Sequence, residues 1–257
     1  MTRTSDRCAP VLLLPPSKGK AAGGDGPPYA RTLTASPLDA ARREVLQAVQ
    51  TDVDELDDAT LARVAGVAAK DVEAARTDLR GLAAAPTMPA HRRYTGIVHG
   101  NAGLADLDPT EIRVDVRIVS ALAGLVELAQ PLPPYRLEFA ARLPSLGGLA
   151  TWWRGRLAEH LEELVRGRLV WDLLPGEHAR IWDRAVRGRA EVVEILFVRP
   201  DGRAANAART KVCKGRIAAF LIAHPEVEVH GLIAGADPGD GWKLTADGRG
   251  VRATFVG

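Results

Sequence analysis

The segment GRAANAARTKVCKGR places Arg203, Arg209, Lys211, Lys214 and Arg216 close together with no acidic residue among them. Lys211 and Lys214 are three apart, so on a helix they share one face and could hold an anion between them. A run of like charge is also, more plainly, a solvated face. A second cationic stretch follows the aliphatic run in VLLLPPSKGKAAGGDGPPY, where Ser17, Lys18 and Lys20 come after a Pro-Pro corner. It reads either as an exit turn with solvated lysines or as positive charge offered to a ligand. In PPYRLEFAARL, Arg136 supplies a rigid donor fork suited to phosphate or carboxylate. Glu138 is then its ion-pair partner or an acid/base group.

The stretch LARVAGVAAKDVEAA has the form helix, glycine-containing hairpin, helix. Gly66 tolerates a positive φ, backbone N–H groups can open toward a phosphate at the second helix N-terminus, and Lys70 can add charge there. The alternative is an αα-hairpin packed for stability alone. The histidines at 91, 99, 160, 178, 224 and 230 show no metal-ligand spacing, and no nucleophile elbow, phosphate-binding P-loop or dinucleotide fingerprint occurs. No metal and no cofactor is expected.

The elements that must hold these groups follow from patterning. VLLL reads as a strand buried on both faces, and a second strand falls near 114–120, followed by a turn. Ser36 and Pro37 resemble a helix start, a helical pair spans 58–82, and 83–96 reads as linker or loop. ATWWRGRLAEHLEELVRG is an amphipathic helix ending at Gly167, and KVCKGRIAAFLIAHP is a helix stopped before Pro225. RLVWDLLP, AEVVEILFV and EVHGLI are strand-like, and the last seventeen residues form a hairpin around Asp247-Gly248. The expectation is one mixed α/β domain over residues 1–257, with a helical region near 36–90 inserted in it.

Composition sets bounds. The 257 residues are 46% hydrophobic and 26% charged with a formal net charge of +2, so nucleic-acid affinity would need a local basic face. Cys8 and Cys213 suggest no disulfide framework. MTRTSDRCAP lacks an apolar core of signal-peptide length and no later run is long enough to span a bilayer, which predicts a cytoplasmic protein with no membrane partner.

Six stretches together resemble the YaaA family of bacterial peroxide-stress-response proteins: LLPPSKGKA, LARVAGVAA, RRYTGIVHGNAGL, VSALAGLVELAQPLPPYRLEFAARLPSLGGLATWWR, VWDLLPGEHARIW and TKVCKGR. The resemblance implies a compact single-domain α/β fold with a helix-hairpin-helix element and a positively charged cleft. It also implies sequence-nonspecific binding of duplex or distorted DNA in an oxidative stress response. Residue by residue, Tyr94, Thr95 and Gly96, the Tyr135–Glu138 segment, Glu177, and Lys211, Lys214, Gly215 and Arg216 match the family pattern. The chain departs from that pattern at Lys18, where many relatives carry Glu, at Ala123, where an aromatic is usual, and at Glu127, where VELAQP replaces Arg-Pro-x-Asp.

On this footing Gly66, Lys70, Ser17, Lys18, Lys20, Arg136, Lys211, Lys214 and Arg216 are the expected phosphate-binding residues of a DNA-binding protein. The rival expectation is an enzyme acting on a nucleotide, nucleoside or other phosphorylated small molecule. Glu138, Glu177 and Tyr94 would then be its catalytic groups.

Overall fold

A run of four aliphatic residues can only be buried if both faces of its strand are covered. In the computed structural model, which describes residues 8–248 and 250–256, β1 (Val11–Leu14) is fully buried. It sits between two parallel neighbours, β2 (Asp115–Ser120) and β4 (Leu169–Asp172). An antiparallel hairpin links β2 to β3 (Gly124–Glu127), and β4 pairs with β5 (Glu191–Val198), again in parallel. The hairpin β6 (Trp242–Asp247) and β7 (Gly250–Phe255) completes the far edge, β7 lying parallel to β5. The seven-stranded sheet therefore runs β6-β7-β5-β4-β1-β2-β3, with a parallel centre and an antiparallel strand at each edge.

The helices that build the core and the pocket are α1 (Asp39–Asp52), α2 (Asp58–Ala65), α3 (Val72–Arg80), α4 (Ile97–Asn101), α5 (Leu149–Val165), α6 (Ala207–Ala223) and α7 (Val229–Gly235). The core is one apolar cluster uniting the sheet with these helices, anchored by Trp153 and Trp171, both almost fully buried. The expected mixed α/β architecture is present. The reading of the first residues and of the far hairpin extends to 1–7, Arg249 and Gly257, which lie outside the described residues.

Three local expectations change. The first long helix begins at Asp39 rather than Pro37, because the Asp39 carboxylate accepts from the amides of Ala35 and Ser36 and closes a turn ahead of it. The turn expected after β2 is present at 121–123, and Gly124 (φ 73°) then starts the return strand β3. Pro86–Pro89 is not loop. It is the middle strand of a small sheet with Gly26–Pro28 and Pro131–Leu132, and a helical turn, Ala90–Arg93, follows. EVHGLI is not a strand either: Val229, Leu232 and Ile233 keep helical spacing, and α7 buries Leu232 completely.

Candidate functional site

The carboxyl ends of parallel strands are where an α/β sheet leaves a crevice, most of all where successive connections leave on opposite sides. Here that point is β1, since the chain passes first to β2 on one side and later to β4 on the other. A pocket of about 630 Å³ opens there. Its walls are the β1 exit from Pro15 to Lys20, the start of α4, the strap 135–139, the β4 exit from Leu174 to His178, the end of β5, and α6.

Each cation reaches the pocket by its own local device. At the β1 exit, Ser17 is buried and its hydroxyl donates to the Gly19 carbonyl at 2.8 Å. The Lys20 ammonium donates to the Ser17 carbonyl at 2.8 Å and lies 4.1 Å from the centre of the Tyr135 ring. A β-bridge to Tyr94 and the bond from the Thr95 amide to the Gly19 carbonyl hold this loop in place. Burial drives Lys20 down to about 7; Glu138 opposes this, while Arg136, Arg93 and Lys18 reinforce it. On α6, Lys214 is buried, donates to the Leu173 carbonyl and lies over the Phe197 ring. Burial lowers it to about 8, with Asp172 opposing. Lys211 and Arg136 line the same pocket from exposed positions.

The carboxylates are arranged differently. Glu138 is fixed by its own amide, which donates to the Val64 carbonyl at 2.8 Å, and pairs with the exposed Lys18 at 2.8 Å. Glu177 lines the mouth 3.5 Å from the His178 Nδ1. Tyr94 stands behind the pocket wall rather than in it. Its hydroxyl shares a hydrogen bond with the Tyr135 hydroxyl (2.7 Å), which shares another with Ser120 (2.9 Å), and burial lifts Tyr94 to about 12.

At the hairpin between α2 and α3, Gly66 adopts φ 64° and caps α2, as its sequence context suggested. The Gly66 and Val67 amides both return to the Ala62 carbonyl, and the Asp71 amide to Ala68. A side chain at Gly66 would collide with Glu138, its Cβ overlapping the carboxylate. Gly66 thus borders the pocket chiefly by letting Glu138 pack against the turn. Lys70 is exposed and away from the lining, and Arg216 turns aside to pair with Asp237 at 3.2 Å.

Sequence reasoning passed over two histidines. His99 is 2% exposed, stacks on Tyr94 at 5.2 Å, and neither ring nitrogen has a hydrogen-bond partner. His178 stacks on Phe139 and its Nδ1 is likewise without a hydrogen bond. Both line the pocket, and burial lowers each to about 4, Lys20 adding to the effect on His99. Only the fold reveals them, since isolated histidines carry no spacing signal. Between pH 6.5 and about 4 the native state binds fewer protons at these rings than the unfolded chain does. Stability is therefore expected to fall as pH drops through that window, as urea midpoints measured across it would record. A midpoint that does not move would contradict neutral, buried rings. Among the described residues no cluster of His, Cys, Asp or Glu is placed to hold a metal, and no helix is long and apolar enough to cross a membrane.

The fold is thus a mixed α/β sheet with a lysine-lined pocket beyond the carboxyl end of β1. The family model of the peroxide stress protein YaaA matches residues 11–243, and the chain belongs to that family. It is 31% identical to a UPF0246 protein of Streptomyces coelicolor over 223 residues, covering 83% of each chain. It is 32% identical to one from Corynebacterium glutamicum over 227 residues, 86% of this chain and 87% of the relative. A Corynebacterium efficiens relative is 30% identical over 253 residues, 96% of this chain and 99% of the relative.

Proposed function

We propose that this member of the peroxide stress protein family binds a phosphorylated small molecule of nucleotide size at the β1 exit. The observation that carries the reading is the gathering of Lys18, Lys20, Arg136, Lys211 and Lys214, from three distant parts of the chain, around one bounded pocket. Two of these ammoniums are held in surroundings that disfavour their charge, a cost that a bound anion relieves. The size is that of small-ligand sites, roughly 300–1,000 Å³. The buried rings of Tyr135, His99 and Phe139 line the same pocket and offer faces for a planar or apolar part beside the cations.

Nonspecific DNA binding is the second reading, favoured by the exposure of Lys18, Lys70 and Lys211 and by Gly66 at the pocket edge. A duplex is far larger than the pocket, so DNA would have to lie across its rim. The engaged amides of the hairpin and the Glu138 carboxylate beside Gly66 weaken that arrangement.

Calorimetric titration with inorganic phosphate, pyrophosphate and nucleoside monophosphates tests the first reading. The expected result is proton uptake on binding near neutral pH and a loss of roughly tenfold or more in affinity for Lys211→Ala combined with Arg136→Ala. A folded double variant that binds as the wild type does would remove the reading. A parallel salt series with a duplex separates the two: affinity falling steeply with salt, with no response to small phosphates, favours DNA.

A further inference from the structure

Lys20 differs from the other cations of this pocket in what surrounds it. Lys214 faces groups that keep its proton, since it donates to the Leu173 carbonyl and lies near the Asp172 carboxylate. Lys20 faces mainly groups that repel a proton. Arg93 approaches from the turn after Pro89, Arg136 from the strap, and Lys18 from its own loop. The neutral Tyr94, Tyr135 and His99 rings complete the surroundings. Among the described residues Glu138 is the carboxylate that acts on it, and that carboxylate is already paired with Lys18. The amine is also held in place: Ser17 fixes its head, the bridge to Tyr94 fixes its backbone, and the Tyr135 ring lies beneath it.

We propose that the Lys20 amine condenses with the carbonyl of a phosphorylated aldehyde or ketone bound in this pocket, forming an imine. The inference rests on the anion-pocket reading, to which it adds the substrate class and a covalent step. The nitrogen lone pair attacks the carbonyl carbon, the C–N bond forms, and the carbonyl π pair moves to oxygen, which takes up a proton. The nitrogen gives up a proton, the carbinolamine hydroxyl is protonated and leaves as water, and a C=N bond remains, with no change of oxidation state. Glu138, on the strap that lines the same pocket, is the carboxylate that carries these protons. The Tyr135 face stabilises the iminium charge as it does the ammonium. A lysine desolvated beside other cations is the recognised way to keep an amine nucleophilic near neutral pH, and the value near 7 for Lys20 agrees with that environment.

Pyridoxal 5′-phosphate, a phosphorylated aldehyde, and pyridoxal, its phosphate-free counterpart, serve as probes on the full chain. Each is incubated with the protein, reduced with borohydride, and mapped by peptide mass spectrometry. The expected result is an adduct at Lys20, formed roughly tenfold faster than at Lys70 or Lys243, with a rate that rises with pH about a midpoint near 7. The phosphorylated probe should react more readily than pyridoxal, and inorganic phosphate should suppress it. Lys20→Arg keeps the charge, lacks a condensing amine, and should abolish the pocket adduct while melting as a folded protein. An adduct confined to Lys214, Lys211 or surface lysines overturns the imine, even where phosphate suppression leaves the anion pocket standing. Equal labelling of Lys20 by both probes keeps the nucleophile and removes the phosphorylated substrate.

Discussion

Replacing Arg42 by methionine is expected to lower stability by about 3–5 kcal/mol, the usual consequence of removing one partner from a buried ion pair. Arg42 is 2% exposed and carries three connections at once. Its guanidinium pairs with the Asp39 carboxylate at 2.9 Å and donates to the carbonyls of Ala123 at 3.1 Å and Leu125 at 3.0 Å. Helix α1 is thereby tied to the edge hairpin β2–β3. Methionine fills much of the volume but leaves Asp39 buried with its charge opposed only by the Ser36 and Ala35 amides. Burial alone would raise the Asp39 carboxyl; those amides and Arg42 outweigh it and hold the group below its ordinary range. Its contribution is present above the unfolded-state pKa and is lost as pH falls, in the same direction as the buried histidines. Adding Asp39→Asn removes the stranded charge and should recover part of the loss. Urea unfolding of the single and double variants checks this; a single-variant loss under about 1 kcal/mol would show that the pair is not coupled to the fold as described.

The same hairpin shows where sequence patterning succeeds and where it stops. VLLL could be read as a strand covered on both faces because a continuous aliphatic run needs such cover, which the sheet supplies, whereas 114–120 and RLVWDLLP could be read only as strands. Ala123 and Glu127 acquire their partners only in three dimensions. Ala123 contributes its carbonyl to Arg42, and Glu127 pairs across the hairpin with Arg117 at 2.5 Å. EVHGLI misleads because a short apolar stretch has no length to separate period two from period 3.6, and tertiary packing of Leu232 decides. Lys211 and Lys214 could be picked out as local charge without acidic neighbours and the other pocket cations from their turns, but their different roles could not. Lys18 and Glu138 are 120 positions apart and form a 2.8 Å pair, whereas Arg216, adjacent to the Lys211–Lys214 face in sequence, points elsewhere. His99 and His178 acquire meaning from burial, which no spacing encodes.

Gly215→Ala is expected to destabilise the protein by about 1–3 kcal/mol, although alanine is the better residue inside a helix. Gly215 lies in α6, and a Cβ there would overlap the Asn101 Cβ and stand 2.6 Å from the Val98 carbonyl oxygen. The obstacle is partly backbone, so no side-chain rotation relieves it, and α4 must move away from α6. Those two packed helices both contribute to the pocket wall, α4 through Ile97 to His99 and α6 through Thr210, Lys211 and Lys214. The lost stability should therefore be accompanied by weaker phosphate binding, even where the variant is fully folded. Gly155→Ala supplies the internal comparison. Gly155 lies in α5 on an exposed face with nothing within 4 Å of the place a Cβ would take, so alanine there should stabilise by roughly 0.5–1 kcal/mol and leave binding unchanged. Opposite signs for the same substitution in two helices would attribute the width of the pocket to the close approach at Gly215. Equal, favourable effects would mean that α4 and α6 yield freely and that the spacing of the lysines is not set there.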